Sequence, residues 1–294
     1  MKLLKLNVVL AAIDRDDMSS AVLQGAHELA VAAGARLHVI NVVRPEDERR
    51  VPRNGDIDAD LERLLQQAGL SASEVAIHVL AGDPAPEIRS LATTVGADVI
   101  VLGRLHDRGR KEPLGGTAMR VVTNSAAPCL VLPGTMVLPL ERVLVPVDLS
   151  ETARGALVLA LSWASALRGA EKSAGSTTNE SAKLTALLID QDGRAGRNAS
   201  TSLDDELQRL RRDAGSWASV AVDGVTVRRD DVAASIAAYA GDHQSDLIVM
   251  GTRGLGADAE RRLGSVSERV MKQVNVPILL VPPAVWSSDG NRNP

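Results

Sequence analysis

Gly251, Gly254, Gly264 and Ser265 stand in the order G-2x-G-9x-G-S, between an apolar run that ends at Met250 and the opening of a helical pattern. Glycine lets backbone N–H groups approach a ligand closely, and a helix start adds unpaired amides and partial positive charge. Residues of these types at this spacing suit the cradling of an anion, above all a phosphate. Arg253 lies within the loop and Arg261 and Arg262 near its end, placed either to meet phosphate or to face water. For the glycines alone, the plainer reading is a strand-to-helix connection with no ligand. Inside the same loop, Gly254-Leu-Gly256-Ala-Asp-Ala259 has the letters of the dinucleotide fingerprint. That fingerprint belongs after the first strand of its unit; here it follows a fourth, so the match is a coincidence of spelling. No GxxxxGK[ST] sequence occurs.

Other chemistry is sparse. His27, His38, His78, His106 and His243 show no metal-ligand spacing and no companion cysteine or carboxylate cluster, and His106 alone falls at a suspected site. The single Cys129 excludes an intramolecular disulfide and a CxxC site; within the apolar run CLVL it reads as a buried structural thiol. Asp14 and Asp148 each close an apolar run, where an aspartate serves as turn cap, hydrogen-bond acceptor or catalytic group. The residues offer no convincing set of base, nucleophile and metal ligands.

The elements that position these residues are legible because the chain repeats itself. NVVLAAID (7–14) returns as ERVLVPVD (141–148), and LAVAAGA (29–35) as WASALRGA (163–170). GADVIVLGRL (96–105) returns as QSDLIVMGTRG (244–254), and RVVTNSAAPCLVLP (120–133) as RVMKQVNVPILLVP (269–282). In the first repeat, apolar runs predict strands at 6–13, 36–43, 75–80, 98–102 and 129–132. Helical patterns at 18–33, 56–68, 84–95 and 116–125 separate them. Short buried strands alternating with helices mean βαβ units with right-handed crossovers and a doubly wound parallel sheet covered on both faces. The expected fold is α/β, with two five-stranded Rossmann-like domains in tandem. PGTMVLPL (133–140) serves as linker, which places the domains at 1–137 and 138–294. EKSAGSTTNES (171–181) and QDGRAGRNAS (191–200) read as surface loops. In such sheets ligands bind beyond the carboxyl ends of the strands, where Asp148 and Gly251 both fall.

Composition narrows the function classes. A chain of 294 residues suits two domains of about 150 residues each. Three Trp, one Tyr and no Phe leave aliphatic cores and no stacking platform for single-stranded nucleic acid. A net charge of -4 gives no general attraction to nucleic acid or an anionic membrane. No apolar stretch reaches the roughly 18 residues that a membrane span requires. The opening MKLLKLNVVLAAID ends in an acidic cluster without a cleavage site and reads as a first strand, so a cytoplasmic location is expected.

These residues together resemble the universal stress protein family in its tandem two-domain form, over nearly the whole chain. The most specific piece is the family's ATP-binding pattern, which Gly251, Gly254, Gly264 and Ser265 reproduce with its spacing intact. The resemblance implies that the phosphates of ATP or AMP lie on this loop. It further implies that Asp148 meets the adenosine, with Pro146 two residues before it, and that Ile189 contacts the adenine. Met250, Val266 and Ser267 extend the match. In the first repeat Asp14 and Val42 correspond to Asp148 and Ile189, but the loop reads Gly103-Arg-Leu-His106. A histidine Cβ there narrows the backbone approach to phosphate. Gly116-Thr117 keeps the nine-residue spacing, whereas Gly115-Gly116 fits the following helix without a gap; Pro113 and RGRK (108–111) depart from the pattern as well. In the second repeat Asp230 and Asp231 replace Gly82 and Asp83. A carboxylate facing phosphate would require Mg²⁺ between them; one facing water would not.

The expectation is an ATP- or AMP-binding universal stress protein with one competent site, in the C-terminal half, acting as a nucleotide-dependent stress or regulatory factor. A slow ATPase using the same loop and a nucleotide-free assembly module are the alternatives. Family members pair through the strand after the phosphate loop, here CLVL (129–132) and ILLV (278–281). The two repeats are expected to pair with each other as a pseudo-twofold unit, with homodimerisation left open. Neither nucleic-acid binding nor membrane insertion is expected.

Overall fold

The structure, a computed structural model, describes residues 5–14, 18–44, 59–104, 115–167, 182–191, 196–213, 220–254 and 263–283. The chain divides into two compact units, Leu6–Leu138 and Pro139–Pro294 with Met1–Lys5. The first carries β1 (Val8–Ile13), α1 (Ser19–Ala33), β2 (Arg36–Val43), α2 (Ala59–Gln67), β3 (Ala76–Ala81), α3 (Pro84–Val95), β4 (Val99–Gly103), α4 (Gly116–Asn124) and β5 (Cys129–Leu132). The second carries β6 (Arg142–Val147), α5 (Glu151–Ala166), β7 (Ala182–Asp190), α6 (Gly196–Asp213), β8 (Val220–Arg228), α7 (Val232–Asp242), β9 (Leu247–Gly251), α8 (Ser265–Gln273) and β10 (Ile278–Val281).

Each sheet is parallel and doubly wound. The strand order is β3-β2-β1-β4-β5 in the first unit and β8-β7-β6-β9-β10 in the second. The first strand of each unit therefore lies at the centre, between the second and the fourth. β1 is VVLAAI and buried at every position, as a strand covered on both faces must be. The order reverses beside this strand, so its carboxyl end opens on the crevice where such sheets take ligands.

One aspartate fastens the two central strands in each unit. Asp98 Oδ2 accepts the N–H groups of Asn7 (2.7 Å) and Val8 (3.0 Å), which join the entry of β4 to that of β1. Asp246 Oδ2 does the same for Glu141 (2.9 Å) and Arg142 (2.7 Å) at the entries of β9 and β6. A carboxylate that accepts two backbone N–H groups supplies charge-assisted bonds that a neutral acceptor would not.

Local chemistry sets the helix ends. α1 and α3 close on Gly34 (φ 64°) and Gly96 (φ 65°), left-handed caps that cost a Cβ-bearing residue about 1–2 kcal/mol. Pro84 opens α3, where its fixed φ suits the first turn. α5 is apolar nearly all round and is accordingly buried along most of its length, Trp163 included. Its described cap is Leu167; Gly169 and the loop 171–181 lie outside the described residues.

One expectation is corrected. Residues 191–200 were expected to form a surface loop, but the backbone from Gly196 onward is the start of α6. Leu203, Leu207 and Leu210 are buried at i, i+4 and i+7, and a helix nucleated there extends backwards at little cost even through polar sequence. No helix among the described residues is long and apolar enough to cross a membrane.

Candidate functional site

β6 and β7 run in register, with Val147 opposite Leu188, so Asp148, just past the end of β6, lies level with Ile189, which is still within β7 and pairs with Val227 of β8. Pro146 sits half-buried within β6, opposite Leu187. The Asp148 Oδ1 atom accepts the N–H of Ser150 at 3.0 Å, which turns the chain sharply after the strand. Leu149 absorbs the turn with φ 64°, a left-handed conformation uncommon outside glycine, and is 38% exposed. Ser150 then caps α5 by accepting the N–H of Ala153 at 3.2 Å.

β9 brings the glycine loop to the same place. A Cβ on Gly254 would lie 2.3 Å from Asp148 Oδ2, so the two residues singled out for phosphate and adenosine meet, and only glycine fits while the carboxylate holds its position. A Cβ on Gly251 would lie 2.6 Å from Thr152 Cγ2 on α5 and 3.0 Å from the Arg253 carbonyl. Gly103, its counterpart, is crowded in the same way, with a Cβ 3.1 Å from Val22 Cγ2 and 3.2 Å from Met18 Cβ. The first glycine of the loop thus answers a packing demand in both units. Gly254 answers to Asp148.

The other end of the loop is stitched back. Thr252 is buried; its N–H donates to the Val281 carbonyl (2.9 Å) and its own carbonyl accepts the Gly264 N–H (2.7 Å). Buried Ser267 donates its hydroxyl to the Gly251 carbonyl at 2.9 Å. The Glu268 N–H bonds to the Gly264 carbonyl at 3.1 Å and opens the helical ladder of α8. The amides of Ser265, Val266 and Ser267 precede that ladder, and the capping residue Gly264 brings no side-chain acceptor. A helix start of this kind favours an anion through both its free donors and its dipole. Arg253 adds a buried Nε that has no hydrogen-bond partner among the described residues. A buried unpaired N–H costs about 1–3 kcal/mol, more on a charged group, and an anion's oxygen would satisfy it. Met250 is buried in β9 and serves the core. Gly256, Arg261 and Arg262 lie outside the described residues.

Of the two aspartates at the entry to α7, Asp231 has its carboxylate partnered. Asp231 caps α7 by accepting the Ala234 N–H (3.1 Å) and meets Arg269 of α8 at 2.5 Å. The Ala234 bond and then the Arg269 guanidinium hold its carboxyl below the ordinary carboxylate range. Asp230 is exposed, and its carbonyl accepts the Gln191 amide at 3.0 Å. The first unit has the same clamp: Arg120 of α4 grips Asp83 with bonds of 2.9 and 2.6 Å and lowers that carboxyl's pKa.

In the first unit, Asp14 is exposed beyond β1, level with half-buried Val42 on β2. Gly116 and Thr117 open α4 behind the cap Gly115, and Arg44 Nη2 lies 3.4 Å from Thr117 Oγ1. A Cβ on Gly116 would meet nothing within 4 Å. His106, the run 108–111 and Pro113 lie outside the described residues.

The sequence reading missed Leu149, Thr152 and Thr252, which shape the loop without belonging to a motif. Ser150 carried a signal in its own right, as a helix-capping residue just ahead of the apolar pattern of α5.

Fold and site together define a tandem α/β protein with a glycine loop at the switch point of its second sheet. The family model of the Universal stress protein family matches residues 5–133 and 139–282. The chain belongs to that family. A universal stress protein from Archaeoglobus fulgidus DSM 4304 shares the fold with a TM-score of 0.66 at 21% identity, over 95% of this chain and 99% of its own. A protein from Pseudomonas aeruginosa UCBPP-PA14, described as a universal stress protein, aligns with a TM-score of 0.67 at 16% identity, over 95% of each chain. In sequence, 36% identity over 74 residues links the chain to a universal stress protein of Thermus aquaticus encoded in the 3' region of a QAH/OAS sulfhydrylase. That match takes in 25% of this chain and 54% of the relative, so the chain spans about half the length of the curated relative it matches.

Proposed function

We propose that the C-terminal unit binds an adenine nucleotide, ATP or AMP, and that its occupancy makes the protein a nucleotide-dependent stress or regulatory factor. The observation that carries this reading is the meeting of Gly254 with Asp148, where a Cβ would stand 2.3 Å from the carboxylate. Asp148 and Ile189 would hold the nucleoside at the strand ends. The amides of 265–267 and the Arg253 guanidinium would take the phosphates. Because Asp231 is already matched by Arg269, its charge does not oppose a phosphate unaided. Mg²⁺ would accompany ATP through the phosphate oxygens, as it binds with few protein ligands.

Nucleotide extracted from the purified protein and identified by mass tells ATP from AMP. Added ATP should raise the melting temperature of the C-terminal unit, since a ligand at a hundredfold excess over Kd stabilises by about 2.7 kcal/mol. Gly254→Val should abolish both the retained nucleotide and the shift. Sustained phosphate release that Gly254→Val removes would replace this reading with a slow ATPase. Absence of nucleotide together with an unmoved melting temperature for ATP and AMP would leave an assembly module instead.

A further inference from the structure

We propose that His38 and His78 of the first unit form a two-imidazole site for a borderline divalent d-block cation. β2 and β3 pair in parallel with His38 opposite Ala76 and Ile40 opposite His78, so the rings reach diagonally between neighbouring strands. His38 Nδ1 lies 3.0 Å from His78 Nε2. The ring centroids are 5.3 Å apart and the planes differ by 8°. One nitrogen therefore donates to the other, which requires at least one neutral ring. Both rings are half-buried, and burial lowers both pKa values; His78, and then Arg36, push His38 further down. Neutral imidazole is the form that binds a metal.

The spacing suits chelation. With metal–nitrogen distances of about 2.0–2.1 Å, two ligands at right angles stand about 3 Å apart. The two nitrogens already have that separation on a backbone fixed by the sheet, and turning the rings aims both lone pairs at one ion. The proton between the rings then moves to the far nitrogen of the ring that carried it, so the neutral pair binds the cation without losing a proton. Imidazole ligands select zinc, copper and nickel over calcium or magnesium, with Cu²⁺ held most tightly. No group of three or more His, Cys, Asp or Glu suited to a metal occurs among the described residues. Water fills the other positions, which makes the site open and exchangeable. Arg36 opposes the added charge, but it is exposed and screened by salt.

Titration with Cu²⁺ at pH 7.5, followed by calorimetry and pulsed electron paramagnetic resonance, tests the assignment. Wild type should take one equivalent with two imidazole nitrogens coupled to the copper. His38→Gln and His78→Gln should each weaken that equivalent at least tenfold and leave one coupled nitrogen. The wild-type nitrogen count stands by itself if a variant folds poorly. Failure to bind Cu²⁺, a wild-type spectrum without two imidazoles, or unchanged affinity in both variants would overturn the site.

Discussion

Single residues explain most of what the candidate site can do. Leu149 occupies left-handed backbone at φ 64° without glycine's freedom, and at 38% exposure its side chain is only partly covered. Asparagine tolerates that conformation far better, so Leu149→Asn should raise stability by about 0.5–1 kcal/mol in urea unfolding; a loss of that size would contradict the strain. Cys129 is fully buried, and burial pushes its thiol up to about 12 against a small opposing bond from Ser125. Ellman's reagent at pH 8 should leave native protein unlabelled and react only as denaturant unfolds it. The histidine pair sets a further expectation, with its sign fixed by linkage. Both rings titrate below the ordinary 6.5 when folded, so the unfolded chain binds more protons in that window. Stability of the first unit is then complete above pH 6.5 and falls as the pH drops towards the folded values. His38→Gln with His78→Gln should flatten that decline in melts between pH 7.5 and 5.

At the scale of elements, much was legible from periodicity and punctuation. The predicted segments 36–43, 84–95 and 129–132 coincide with β2, α3 and β5, because Pro84, Gly96 and continuous apolar runs mark their limits. The start of α6 was not legible, since GRNAS carries no apolar periodicity and follows its neighbours into the helix. The same contrast holds at the site. Gly251, Gly254 and Asp148 announce themselves by type and spacing, whereas Thr152 acquires its place only when α5 packs against Gly251. The His38–His78 contact joins residues 40 apart that share no motif, so only strand register brings them together. The aspartate ties are the clearest case of a device spelled twice, as the Asp of GAD and of QSD. Asp246→Ala removes an acceptor from two backbone N–H groups and should cost about 2 kcal/mol in urea unfolding, after a discount for partial exposure. A cost below about 0.5 kcal/mol would show the tie to be dispensable.

At the scale of the whole molecule the two units share an architecture but differ at their glycine loops, Gly254 in one and His106 in the other. If only the second cradles nucleotide, hydrogen exchange with ATP should slow at 251–254 and 264–267 and stay unchanged at 103–104 and 115–118. Equal protection in both would mean that the histidine loop binds as well. The central position of each unit's first strand also governs how the protein is made. Val8 waits for Asp98, 90 residues further along, and Arg142 for Asp246, 104 further along. At about 5–20 residues per second, the ribosome leaves each of these apolar strands without its later-made neighbour, β4 or β9, for roughly 5–20 seconds. A nascent chain paused in that interval presents an all-apolar segment such as VVLAAI to anything that captures unpaired strands.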